Sequence, residues 1–262
     1  MPWNALPRRW SPLWRAARDS ISRLDPRLPV ALRTADFAQI VKLVDASTVG
    51  PGLPNLEFLR LRLLDFASGV LAVGAGKLAD TEKLSARLDA ELRRIEQQQK
   101  SSEHVHPAPP SGPPKNVVMP DALLDPLLKT LSIMALELHG SLLDAQGKTE
   151  DAKTAFAGAA KEEKDLGYRE PPNYIRPVGE TEGAAMLAVH RWADAKAAFE
   201  RALVERPHSG FALYGIARAC EGSDDRAAAV KTYEDFLTAW KDADAGLPQI
   251  AHAREYLATH RQ

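Results

Sequence analysis

The feature that most constrains this chain is a set of intervals that repeats. Gly183, Ala195, Phe199 and Ala202 are twelve, four and three positions apart, and the same intervals run from Gly140 through Ala152, Phe156 and Ala159. Gly147 stands at the turn of the first of these copies, and Pro207 lies just past the second helix of the other. A further copy starts at Gly215, with Gly222 at its turn and Ala227 in its second helix, although Tyr233 and Phe236 fit better if that turn holds extra residues. An eroded copy begins at Gly69, with Gly76 at the turn and Thr81, Ser85 and Leu88 on the second arm. A short unit of this kind cannot bury its apolar face alone, so neighbours must stack. Gly or Ala where two helices cross lets them approach closely, and an aromatic ring inserted between successive hairpins buries surface that neither could bury by itself.

The periodicity agrees. Ala, Leu, Glu, Lys and Arg dominate, and apolar residues recur every three or four positions, so the chain reads as all-α. From Leu131 to about Asp242 the ladder resembles the tetratricopeptide repeat, with its small residue in the first helix, Ala and an aromatic in the second, and a terminal Pro. The resemblance implies a right-handed superhelical stack of antiparallel helical hairpins, an α-solenoid. Gly183 and Gly215 lie 32 positions apart, close to the family period of about 34. Gly140 and Gly183 lie 43 apart, which calls for an insertion, and Gly167–Tyr174 supplies it. Two prolines and two tyrosines there predict an ordered connection with its rings against neighbouring helices. Most first helices lack the early Trp or bulky residue of the family pattern, and the hairpin near Gly69 lacks its Ala and aromatic.

In tetratricopeptide proteins the first helices line a concave groove that takes an extended peptide or a helix. Carried over, the resemblance implies a groove lined by Glu137, Ser141 and Asp144, then Glu180, Ala184 and Leu187, then Ala212, Ile216 and Ala219. Such a face is acidic to apolar and repels a carboxylate, so the partner it implies is a basic or apolar segment of another protein and not the acidic tail that some family members clamp. Three alternatives stand beside this reading. The chain's own terminal helix, Leu247–Leu257, could fill the groove; the hairpins could serve a larger assembly, self-associating through the N-terminal hairpin; or the chain could be an enzyme of unrecognised type.

Four segments follow from the punctuation. Residues 1–53 carry Arg8, Arg9, Arg15 and Arg18 among Trp3, Trp10 and Trp14, and are read as surface helices with an organelle transit peptide as the alternative. Helices are expected over Ser11–Leu24 and Pro29–Ala46, the second re-starting near Asp36 with Thr34 or Asp36 as its cap. Val49–Pro54 is a connector. Residues 54–99 form a hairpin turning at Gly74–Gly76, residues 100–118 a disordered Pro-rich linker, and residues 119–262 the repeats with a capping helix at the end.

Composition narrows the chemistry. With 34 basic and 35 acidic residues no global field calls for nucleic acid, and no run approaches the about 20 apolar residues of a membrane span. Cys220 is the single cysteine, which excludes an intrachain disulfide and favours a reducing compartment, the cytosol. Its Ala-rich setting reads as structural. The seven histidines include no His-Glu-x-x-His helix, and His104 and His106 lie in the Pro-rich linker, so no metal site is expected. Gly74-Ala75-Gly76-Lys77 fails as a phosphate loop because Leu71 and Leu78 replace the required Gly and Ser or Thr. No nucleophile elbow is present, no cofactor is expected, and the reading is a binding scaffold with no catalytic residue.

Overall fold

Four turns of one construction set the architecture. Gly76, Gly147, His190 and Asp224 all adopt left-handed backbone, with φ of 70°, 74°, 60° and 61°. The amide that follows each bonds back five residues: Lys77 to Ala72, Lys148 to Leu143, Arg191 to Met186 and Asp225 to Cys220, all at 2.9–3.0 Å. This bond satisfies a carbonyl that the helix end would otherwise strand, and it reverses the chain in three residues. The computed structural model describes residues 16–103, 121, 125–167, 172, 174–244 and 246–260. Among these residues there are twelve helices and no strand.

The hairpins so formed are α4 (Pro54–Gly74) with α5 (Leu78–Glu103), α6 (Asp125–Ala145) with α7 (Thr149–Asp165), α8 (Val178–Ala188) with α9 (Trp192–Glu205), and α10 (Gly210–Gly222) with α11 (Arg226–Ala239). Each packs on its neighbours in order. First helix meets next first helix along α4, α6, α8 and α10, and each second helix meets the first helix that follows it. Three further helices, α1 (Ala16–Leu24), α2 (Leu28–Thr34) and α3 (Phe37–Ala46), precede the hairpins, and α12 (Pro248–His260) follows them.

The repeated residues make the contacts that their spacing implies. A Cβ on Gly183 would stand 2.6 Å from the Phe199 ring and one on Gly215 only 2.4 Å from it, so Phe199 is held between α8 of its own hairpin and α10 of the next. Gly140 bears on Phe156 in the same way, at 2.9 Å. Ala152, Ala159, Ala195 and Ala202 are buried. In the eroded hairpin Gly69 takes Leu138 of the next first helix, and Thr81, Ser85 and Leu88 are buried at the equivalent places.

The last copy departs from the expected register. Gly222 does not make the turn: it ends α10, and a Cβ there would run into the Trp192 ring at 2.8 Å. The turn residue is Asp224, two positions later, so Ala229 and not Ala227 is the buried alanine of α11. Tyr233 and Phe236 then fall into the core, as the extra turn residues require.

Asp36 caps α3, its carboxylate accepting from Gln39 N at 2.9 Å. Helix α5 runs to Glu103, past the expected end of the hairpin at 99. Residues 1–15, with the three N-terminal tryptophans, and 104–120, with most of the Pro-rich stretch and its two histidines, lie outside the described residues, as does Tyr168. Helix α12 does not enter the face of the first helices. Its Ile250, Ala253 and Leu257 pack against Ala217, Tyr233 and Phe236 at the end of the stack.

Candidate protein-interaction face

The first helices α4, α6, α8 and α10 lie side by side and form one face. The chain's own N-terminal helices cross part of it. Helix α1 packs on α4 and α6, and Leu32 of α2 and Phe37 of α3 close a small cavity with Phe66, Met134, Glu137 and Thr181. Phe37 meets Phe66 edge-on, with ring centroids 5.7 Å apart. Leu28, Ala31 and Leu32 are buried along one side of α2, which carries the next residue, Arg33, to the edge of the face.

There Arg33 meets the N-terminal ends of α8 and α10. Its Nη1 donates to Glu180 Oε2 at 2.5 Å, and its Nη2 donates to Glu180 Oε1 and to Ser209 Oγ, each at 3.1 Å. Ser209 Oγ donates in turn to Glu180 Oε1 at 2.8 Å. The guanidinium carbon stands 4.5 Å over the centroid of the Phe211 ring. Ser209 is the N-cap of α10, yet its hydroxyl is spent on Glu180 and not on the helix end. Arg176 provides a second cation, with Nε 3.9 Å from Glu180 Oε2 and Nη2 donating to the Glu180 carbonyl at 3.2 Å. Burial lowers the pKa of Arg176 against the pull of Glu180 and Glu137, and Arg33 lowers it further. The side chain of Glu180 is 1% exposed.

Every other carboxylate expected to line the groove is likewise buried and bonded within the chain. Glu137 accepts from the Tyr174 hydroxyl at 2.5 Å, and burial pushes its pKa up to about 8 against Tyr174, Thr181 and Arg176. Ser141 donates to the Glu137 carbonyl, a bond within its own helix. Asp144 accepts from Arg191 Nη1 at 2.5 Å, which ties α6 to the turn of the next hairpin. Its pKa is raised by burial, with Arg191 opposing. The inserted loop is ordered where it is described: Arg206, just past α9, donates to the carbonyls of Tyr174 and Ile175 at 2.6 and 2.9 Å, and Glu163 accepts from Val178 N at the start of α8. Burial pushes Glu163 up to about 7.

The expected lining is therefore corrected at seven positions. Glu137, Ser141, Asp144 and Glu180 are closed off by α1–α3, the inserted loop and Arg191. Ala212, Ile216 and Ala219 are also buried, because they share the stripe of Gly215 and turn toward α9, Ala212 and Ile216 with Phe199 and Ala219 with Ala195 and Ala198. Ala184 is exposed and Leu187 half-buried. On α10 Arg218 is exposed, while Phe211 and Tyr214 are half-buried, Phe211 beneath Arg33 and Tyr214 against Tyr233, Phe236 and His252. Sequence spacing cannot show that Arg33 meets Glu180, since 147 residues separate them.

A second concavity of about 490 Å³ opens between α7 and α9, where the inserted loop separates their hairpins. Phe156, Ala157, Ala160 and Ala202 line its apolar part, with Lys153, Lys161, Lys164, Glu163, Glu182, Arg201 and Glu205 around them. No group of three or more His, Cys, Asp or Glu residues among those described could hold a metal ion, and no described helix is long and apolar enough to cross a membrane. Cys220 is buried, and burial pushes its thiol pKa up. No family model matches the chain, and no curated protein or solved structure is significantly similar to it.

Proposed function

We propose that this chain is a protein-interaction scaffold of the tetratricopeptide type and not an enzyme, and that it receives an apolar or basic helix of another protein on the face of its first helices. The observation that carries this reading is the packing of α1 on α4 and α6, with Leu32 and Arg33 of α2 reaching the same face: a helix laid on the first helices is what it already holds. The part of α8 left uncovered, the exposed Ala184 beside the half-buried Leu187, is apolar. The buried carboxylates nearby have their bonds within the chain, so apolar contact supplies the affinity there.

Ala184 is exposed, so a large cationic side chain fits at that position without disturbing the core. Affinity capture with the wild-type chain and with Ala184→Arg, at matched thermal stability, tests the reading. A partner held by the wild type and lost from the variant is expected. Equal capture by both removes the face from consideration.

A further inference from the structure

The pair of Glu180 and Arg33 is built as a receptor and its ligand. Both oxygens of a carboxylate that is 1% exposed face two nitrogens of one planar guanidinium, with a hydroxyl from Ser209 bracing the same oxygen and the Phe211 ring beneath the cation. Two-point bonding to a carboxylate combined with stacking on a ring selects arginine, since a lysine ammonium offers neither the fork nor the flat face. Arg33 enters this socket from solvent, with 27% of its side chain still exposed.

The segment that brings Arg33 is held by the burial of Leu28, Ala31 and Leu32 and not by helix length. Helix α2 has seven residues, fewer than any helix stable by itself, and it ends at Ala35 in left-handed backbone with φ of 56°. It is joined to the hairpins through α3 and the loop at Gly50 and Gly52, where nothing lies within 4 Å of a would-be Cβ. The socket, by contrast, does not need Arg33 for charge balance. Arg176 and Ser209 remain on Glu180 without it, so its departure strands no buried carboxylate. Arg33 also repels Arg176 and Arg206, whose own pKa values it lowers.

We propose that Glu180, Ser209 and Phe211 form an arginine-reading socket, that Arg33 is its internal occupant, and that an arginine carried on a short apolar helix of a partner protein replaces it. The inference rests on the scaffold reading and gives the partner its chemistry. The incoming helix presents one arginine with apolar residues one and five positions before it, as Leu32 and Leu28 precede Arg33. Occupation by α2 keeps the socket closed until such a helix competes.

The test uses the full chain with a protease site placed at Gly50–Gly52, cut after folding so that residues 16–46 are held only by contacts. The probe is a fluorescent peptide of residues 16–46, as the wild-type sequence and as Arg33→Lys, added to the cut chain and followed by anisotropy. The wild-type peptide is expected to exchange in, with the Arg33→Lys peptide at least ~10-fold weaker. Equal binding of the two overturns the arginine socket while leaving the face a helix-binding surface. Failure of the wild-type peptide to exchange makes α1–α3 a fixed part of the fold and overturns the proposal; capture by the uncut chain at Ala184 judges the scaffold reading separately. In the uncut chain, Arg33→Ala is expected to speed amide exchange in α2 at least ~10-fold while α4 and α6 stay protected. Unchanged exchange in α2 overturns the proposal even if the cut chain does not stay folded.

Discussion

Helix α10 takes part in two interfaces built on opposite principles. Toward α9 it presents Gly215 to the Phe199 ring, a contact of small residue and aromatic with no charge in it. Toward α2 it presents Ser209 and Phe211 to Arg33, in a seam of guanidinium, carboxylate and hydroxyl groups. The first depends on shape and the second on charge. Mutation and pH should therefore separate them.

The largest loss is expected at the apolar interface. Phe199 is 4% exposed and serves two hairpins at once, so Phe199→Ala should cost about 3–5 kcal/mol in chemical denaturation. A cost below about 1 kcal/mol would mean that the hairpins do not depend on the ring, and the repeat ladder would lose its physical basis.

The seam should respond unequally to removal of its two partners. Glu180→Ala leaves Arg176 and Arg33 facing each other around an empty site and should cost about 3 kcal/mol. Arg33→Ala leaves Glu180 with Arg176 and Ser209 and should cost about 1 kcal/mol. Equal losses in the two variants, measured by denaturant titration, would show that Arg33 is as necessary to the seam as the carboxylate it meets.

The same contrast decides what could be read from the residues alone. Gly140, Gly183, Phe156 and Phe199 repeat because helical hairpins stacked in order put them at fixed intervals, and the structure gives them the contacts that those intervals imply. The all-helical class and the Asp36 cap follow from local chemistry in the same way. The last turn was less legible, because Asp224 takes a left-handed conformation that Gly222 offered more cheaply. Nothing local marks Glu180 as buried. A carboxylate on a first helix has the same sequence signature whether it faces solvent or Arg33, and only the path of α1–α3 across the face decides between them. Ala212, Ile216 and Ala219 lie away from the expected groove for a related reason: a stripe of small apolar residues suits a groove and a helix crossing equally.

An effect of pH is also expected, and it belongs to the seam side of the first helices. Burial pushes Glu137 up to about 8 from an ordinary value of 4.5, with Tyr174 donating to it. Between those values the folded chain keeps a proton that the unfolded chain has lost. The folded state therefore binds more protons, and stability falls as pH rises through that window, levelling off above it. Glu163, pushed up to about 7 by burial, adds to the same slope. Asp25, Glu57 and Glu221 are shifted the other way by their bonded partners, so their contributions are complete by about pH 5 and leave the slope between 5 and 8 alone. Glu137→Gln keeps the shape and the acceptor for Tyr174 but cannot ionise. The melting temperature of the wild type should fall relative to that of Glu137→Gln between pH 5 and 8. Phe199→Ala, at an interface where no such group is buried, should leave the wild-type slope in place. Parallel profiles for the wild type and Glu137→Gln would mean that Glu137 is ionised beneath α2, and the seam would then be no more sensitive to pH than the apolar interface beside it.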